Sequence, residues 1–533
     1  MRGGRSSGGG MSLAWGDVRN WNPSEVGVLA RRIRDSSKSM DDRSVDLAGL
    51  LKQLDWHGPA ADAARAAMNG LESDVGERAR VLSAVGRCLD EMAIAMYPLT
   101  HAVRECAADA DGTSMSIGSD GTVVDGLPMY TSAAADAWGI ARDRLRIRRE
   151  LEERAVALLA RAEELDGRTA ASLNRCENGE DRTRQATVDP PVPGTPAANA
   201  AFWDAATQAE RTEFLVRRPE LLGNLDGIPA HVRDAANRRV LAQERTRLAE
   251  VVDELRKELQ GNKFGGAFSN ADAGLAQTEK RLAALDAVAT TLAKGNRQLL
   301  VLDNHSADDT LAAVAVGDVD TATHVAVFVP GMNSDVQSDL IRYDGDMDAL
   351  ERAVRQQLPS NDTAAVVTWM NYSTPHTGWS LFDPNRSVVG AGAAVAGGAR
   401  LTTFLDGLDA SRRSDPHLSL LGHSYGSLTA AHAVRDASAT GVDEFVSVGS
   451  PGLGVGTVHE LSIPPGHLHV GEAAGDVVVD LGVFGADPSE LAGVEELPTT
   501  AAGGLRASDG HSDYFTDGTT SQHAIARVVA GLD

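Results

Sequence analysis

Through the first third of the chain, apolar residues recur every three or four positions. Val26, Leu29, Ile33, Met40, Leu47, Leu51 and Leu54 share one stripe with a polar opposite face, which predicts a helix. A second stripe takes in Ala64, Met68, Leu71, Val75, Leu82, Val85, Leu89, Met92 and Met96. It is narrow, like a coiled-coil seam, and needs a partner helix. Between the two lies Trp56-His57-Gly58-Pro59, a turn with its proline placed to open the next helix. The two stripes predict an antiparallel hairpin bent at Trp56. Residues 114–124 then alternate around Asp120-Gly121, the pattern of a small β-hairpin. A third helix carries Ile140, Ile147, Leu151, Leu158 and Leu165 on one face and many Arg and Glu on the others. The stretch around Asp189-Pro190-Pro191-Val192-Pro193-Gly194 reads as a linker.

Residues 201–295 are helical again, with Leu241, Leu248, Val252, Leu255 and Leu259 on one face. From about residue 297 the pattern changes, and short β-branched runs alternate with helical stretches. Strands are expected at 298–302, 311–316, 325–329, 364–369, 418–421, 445–448 and 468–470, with a terminal helix through Ile525, Val528 and Val529. Strands alternating with helices imply an α/β protein with a mostly parallel sheet covered on both faces. The expected organisation is an N-terminus at 1–22, a helical hairpin domain at 23–176 with its β-hairpin at 113–125, a linker at 177–200, a helical segment at 201–296 packing on the core, and an α/β domain at 297–533.

At 533 residues the chain is too long for one ordinary core. A net charge of −25 argues against a nucleic-acid backbone or an anionic membrane surface as partner. The three cysteines, Cys88, Cys106 and Cys176, have no metal-ligand spacing and form no disulfide framework, so a reducing compartment is the default. The first residues lack the apolar core of a signal peptide, and no stretch approaches the roughly 18 apolar residues of a membrane span. The expected location is cytoplasmic, or outside the cell by a route that uses no signal peptide.

The chemistry concentrates at Gly422-His423-Ser424-Tyr425-Gly426, directly after the apolar run Leu418-Ser419-Leu420-Leu421 and before a helix-forming stretch. A G-x-S-x-G between strand and helix is a nucleophile elbow, a turn so sharp that its flanks must be glycine. Acyl transfer at that serine needs a base, a carboxylate to orient it, and donors for an oxyanion. In this arrangement the acid follows the serine in the chain and the histidine comes last. His432, His467 and His469 come too early, which leaves His511 and His523. His511 is favoured because it sits in a loop before the terminal helix. Asp476, after a glycine at a strand's carboxyl end, is favoured as the acid over Asp480 and Glu472. One oxyanion donor should be the Tyr425 N–H. The second should come from Val329-Pro330-Gly331-Met332-Asn333-Ser334, as the N–H of Met332 or Asn333; the Asn333 side chain could equally cap the next helix. Trp369, Tyr372, Trp379 and Phe382 follow or end a strand and are candidates for an acyl pocket or for ordinary packing.

The order of these elements fits the α/β-hydrolase fold, and several motifs carry a family resemblance. Val329-Pro330-Gly331-Met332, Gly422 to Ser427, Val448-Gly449-Ser450-Pro451-Gly452 and His511-Ser512-Asp513-Tyr514 resemble those of an actinobacterial α/β-hydrolase family of formerly unknown function. Asn224-Leu225-Asp226-Gly227-Ile228-Pro229 and Arg233-Asp234-Ala235-Ala236-Asn237-Arg238 resemble the helical segment that such proteins place before the core, so the likeness covers roughly 201–533. It implies a triad at Ser424, Asp476 and His511 and names no substrate. Trp56-His57-Gly58 at the bend of the hairpin resembles the Trp-X-Gly proteins of type VII secretion. The acidic residue expected four positions after a tyrosine is missing: His101 follows Tyr97, and Ala134 follows Tyr130.

The expectation is a serine esterase of lipase-like type that cleaves a small-molecule or lipid carboxylic ester, or a thioester, with no metal or organic cofactor. The alternative is a secretion- or assembly-associated helical protein that carries the hydrolase as an effector or scaffold. In either case the N-terminal helices are candidates for self-association.

Overall fold

The computed structural model describes residues 13–53, 55–127, 137–177, 194–261, 270–305, 309–375, 391–435, 441–479 and 483–532. The chain falls into two compact units. One comprises Met1–Pro128, Arg148–Pro191 and Ala201–Arg211; the other comprises Met129–Ile147, Val192–Ala200 and Thr212–Asp533. Most of the expected linker lies outside the described residues, and the units interleave in sequence on either side of it.

The helical unit holds α1 (Trp15–Arg19), α2 (Pro23–Gln53), α3 (Pro59–Gly112), the strands β1 (Met115–Ile117) and β2 (Val123–Asp125), and most of α4 (Ala137–Glu177). Helices α2 and α3 run antiparallel. Ser24 Oγ meets Tyr97 Oη at 3.2 Å, Ser37 Oγ donates to Ala79 O at 2.7 Å, and Ser44 Oγ donates to Glu72 O at 3.3 Å. One residue number falls as the other rises. The second stripe ends at Met96, but the helix continues through Pro98 to Gly112, burying Leu99, Val103, Cys106 and Ala110. Strands β1 and β2 pair antiparallel around the Asp120-Gly121 turn, where Asp120 Oδ1 accepts from Thr122 Oγ1 at 2.6 Å. Two of the three dispersed cysteines meet here, with Cys88 Sγ 3.7 Å from Cys176 Sγ.

Helices α5 (Pro196–Asp204) and α6 (Gln208–Arg217) follow, and the sheet unit continues with α7 (Pro219–Leu222), α8 (Ala230–Gly261) and α9 (Asn270–Leu292). Its strands are β3 (Arg297–Asp303), β4 (Leu311–Val316), β5 (His324–Val329), β6 (Ala364–Met370), β7 (His417–His423), β8 (Glu444–Val448), β9 (Leu468–Gly471) and β10 (Glu495–Glu496). The helices among them are α10 (Val336–Gln357), α11 (Gly392–Ala410), α12 (Tyr425–Val434) and the terminal α13 (Thr520–Val529). The sheet order is β10-β9-β8-β7-β5-β6-β4-β3; β3 and β4 pair antiparallel, as do β4 and β6, and the rest are parallel.

Because side chains alternate along a strand, these near-continuous apolar runs feed two cores. Val325, Val327, Val367, Trp369, Leu420 and Phe445 pack with Leu401, Phe404 and Leu428 of α11 and α12. Ala326, Phe328, Val366, Leu421 and Val446 pack on the opposite face with Leu285, Leu340, Met347, Ile525 and Val528 of α9, α10 and α13. Register then decides what shares a rim. Val329 lies beside Gly422, His423 beside Val448, and Val448 beside Gly471, so the loops after β5, β7, β8 and β9 leave the sheet together. None of the helices among the described residues is long and apolar enough to cross a membrane.

Candidate active site

The carboxyl end of β7 turns into α12 within one residue. Ser424 sits at φ +55°, ψ −130°, a conformation that costs a non-glycine residue of order 1–3 kcal/mol and persists only where neighbours impose it. Here Ser424 N donates to Val448 O at 3.0 Å, and Ser427 N donates to Ser424 O at 2.9 Å. The glycine flanks are a steric requirement. A Cβ on Gly422 would come within 2.6 Å of Ser427 Cα, and one on Gly426 within 2.2 Å of Val329 O. The serine is 3 % exposed, and its hydroxyl makes no hydrogen bond among the described residues.

The loop after β5 runs along the serine. Gly331 is so close that a Cβ there would lie 2.7 Å from Ser424 Cβ and 3.1 Å from its Oγ. Tyr372 Oη donates to Pro330 O at 2.5 Å and anchors this loop. Asn333, at φ +58°, donates its N–H to Pro375 O at 2.8 Å, so of the two expected donors in the loop Met332 remains. The cap of α10 is Asp335, whose Oδ1 accepts from Ser338 N at 2.8 Å, and not Asn333. Tyr425 is the first residue of α12, at the end where helix N–H groups and the positive end of the dipole point.

Asp476 lies in the loop after β9 and His511 in the loop before α13. His511 Nδ1 is 2.9 Å from Asp476 Oδ1 and 3.0 Å from Oδ2. Burial alone would raise the Asp476 pKa. Hydrogen bonds from His511, Tyr514 and the Val478 N–H outweigh it and hold the carboxyl below its ordinary range. The His423 ring lies 4.8 Å from that of His511, and its Nε2 donates to His511 O at 2.7 Å. Burial, with the neighbouring His511, pushes the His423 pKa down to about 4, so it is neutral near pH 7. The structure thus brings His511 and Asp476 into contact beside the residue that precedes the serine.

The other candidates lie elsewhere. His523 is on α13 and exposed, His432 is on α12, and His467 and His469 are bonded to Glu444 at the opposite end of the sheet. Asp480, Trp379 and Phe382 lie outside the described residues. Two of the proposed pocket residues belong to the core instead. Trp369 is 0 % exposed on β6 and stacks on Tyr372 at 5.8 Å. Tyr372, two residues past the end of β6, is buried in the same core, its ring stacked on Trp369 and its hydroxyl on Pro330 O. Sequence reasoning attached no role to His423, Gly449 or Tyr514, although all three stand inside motifs it had singled out.

Residues 305–486 match the family model described as alpha/beta hydrolase. An uncharacterized protein of Mycobacterium tuberculosis is 28 % identical over 429 residues, covering 71 % of this chain and 62 % of its own length. This chain therefore spans about three-fifths of that relative. Another uncharacterized protein, from Mycobacterium bovis, is 32 % identical over 229 residues, covering 41 % of this chain and 83 % of its own. A solved arylesterase structure matches 53 % of this chain and 97 % of its own at 13 % identity, with a TM-score of 0.27, a superposition too loose to bear on activity.

Proposed function

The chain belongs to the α/β-hydrolase family, and from that premise we propose that it is a serine hydrolase that cleaves a carboxylic ester, a lipid ester or thioester included, through an acyl-enzyme. The observation that carries the reading is the 2.9 Å contact of His511 with Asp476 at the rim where Ser424 stands in its strained turn. Asp476 holds His511 Nδ1, which leaves Nε2 to take the serine proton. Ser424 then attacks the carbonyl carbon. The oxyanion that forms takes hydrogen bonds from the N–H groups of Tyr425 and Met332. Collapse breaks the ester bond, and His511 returns the proton to the leaving alcohol or thiol. Water, deprotonated by His511, then attacks the acyl carbon, the bond to Ser424 Oγ breaks, and His511 returns the proton to the serine as the acid leaves. No metal or organic cofactor takes part in this scheme.

A fluorophosphonate probe and a panel of chromogenic esters of rising chain length test it. Ser424 should carry the label, and Ser424→Ala should keep its fold and lose at least about a thousandfold in turnover. Retained turnover in the purified variant refutes the assignment. A second reading, the helical unit as a secretion or assembly module, is favoured by exposed apolar side chains: Leu29 is 50 %, Leu50 58 %, Leu71 54 % and Ile94 61 % exposed. The same probe separates the two, since a hydrolase retained only as scaffold leaves Ser424 unlabelled.

A further inference from the structure

We propose that Tyr514 is a positioning residue for the acid–base pair, its phenol bracing Asp476 against His511. The inference rests on the Ser424–His511–Asp476 reading above. Asp476 acts only as an acceptor in its contacts: from His511 Nδ1, from the Val478 N–H to Oδ1 at 3.0 Å, and from the Tyr514 hydroxyl to Oδ2 at 2.6 Å. The same hydroxyl accepts the Ala473 N–H at 2.9 Å. With that N–H on its oxygen, the phenol directs its single proton to the carboxylate, and Ala473 belongs to the loop that carries Asp476. Tyr514 is 0 % exposed, so water does not compete. Burial pushes its own pKa upward, and it stays a donor throughout the working range.

Packing alone would not require the oxygen. The next residue, Phe515, fills the same core edge-on to Phe328, with centroids 4.9 Å apart and no polar group. Tyr514 follows His511 by three residues, so one loop delivers the base and the brace to one carboxylate. Beneath them lies Gly449, at φ +58°. A Cβ there would fall 2.9 Å from Tyr514 Cε2, 3.0 Å from Asp476 Oδ2 and 3.2 Å from His511 Cε1. The backbone at the end of β8 is the floor under all three side chains.

Tyr514→Phe keeps the ring and removes one oxygen. In the full chain, the proton between His511 Nδ1 and Asp476 gives a downfield NMR resonance, assigned by its loss in His511→Gln. The resonance collapses when Asp476 is protonated. Without the phenol donor the collapse should occur about one pH unit higher, since a hydrogen bond to a charged group is lost. The kcat on a chromogenic ester should fall about tenfold while KM stays within about twofold. A folded Tyr514→Phe with an unmoved collapse and unmoved kcat overturns the proposal. If that variant does not fold, difluorotyrosine in place of Tyr514, a stronger donor of nearly the same shape, should move the collapse to lower pH; no movement overturns it equally. If the resonance moves as expected but the native chain neither turns over esters nor labels at Ser424, the brace stands and the hydrolase reading falls.

Discussion

The two rims of the sheet hold the same kinds of side chain. At the carboxyl rim, Asp476 meets His511. At the amino rim, Glu444 opens β8 and accepts from His467 Nδ1 at 2.7 Å and His469 Nε2 at 2.8 Å. His324 and His417 open the neighbouring strands β5 and β7, directly opposite in register, with rings 5.4 Å apart. Their Nδ1 and Nε2 atoms reach Val529 O at 3.0 Å and Val528 O at 3.3 Å. A histidine–carboxylate pair is therefore not by itself a site. The amino rim faces the carboxyl end of α13, whose last carbonyls, Val528 O and Val529 O, take up imidazole N–H groups. The carboxyl rim faces the amino end of α12, which presents N–H groups and a positive dipole to whatever charge develops there. The amino-rim groups brace the fold, and those at the carboxyl rim stand where a reacting oxygen can be stabilised.

The difference can be broken by substitution. Asp476→Asn should leave the fold in place and cut kcat by roughly a thousandfold or more, because it favours the wrong tautomer of His511. Steady-state kinetics on a folded variant measures this; a loss below about tenfold would put the orienting carboxylate elsewhere. Glu444→Gln should do the reverse, leaving kcat within about twofold while replacing one of the two acceptor oxygens by an NH2 donor and removing the charge, at a cost of about 1–3 kcal/mol. Burial alone would raise the Glu444 pKa, yet bonds from His469 and His467 hold it below its ordinary range, so the charged form belongs to the fold. Lost turnover in a stable Glu444→Gln would erase the contrast between the rims.

A further expected effect concerns acid, and it falls on stability and not on turnover. His423 binds a proton near 6.5 when unfolded but only near about 4 in the fold. Between those values the unfolded chain holds more protons, so stability falls as pH drops through the window, by up to on the order of 3 kcal/mol. Urea midpoints taken from pH 7 to pH 4 should converge for the native chain and His423→Gln as pH falls. Parallel curves would remove His423 from the account.

Much of this was legible in the chain. The apolar stripes predicted α2, α3 and α4, the β-branched runs predicted β3 to β9, and the alternation of strands and helices predicted the α/β order. The elbow was legible because its pattern is contained in five residues, although only the clash at Gly422, with Ser427, is local and that at Gly426 is with Val329 of β5. The order of serine, acid and histidine left a few candidates, and loop position favoured Asp476 and His511, whose side chains touch. These are properties of period, local sterics and chain order, and a sequence carries all three directly. Other features were settled only by the tertiary structure. Trp369 and Tyr372 look like pocket aromatics in sequence, but the pleat of β6 turns Trp369 into the core, and Tyr372, beyond the strand's end, stacks on it there. Cys88 and Cys176 meet only because α3 and α4 pack side by side. The His324–His417 pair depends on β5 lying beside β7, and the Tyr514 brace on where two loops leave the sheet. Which side chains face one another across a sheet follows from strand order and register, and those are set by burying both faces of the sheet at once, a condition on the whole chain that no local pattern encodes.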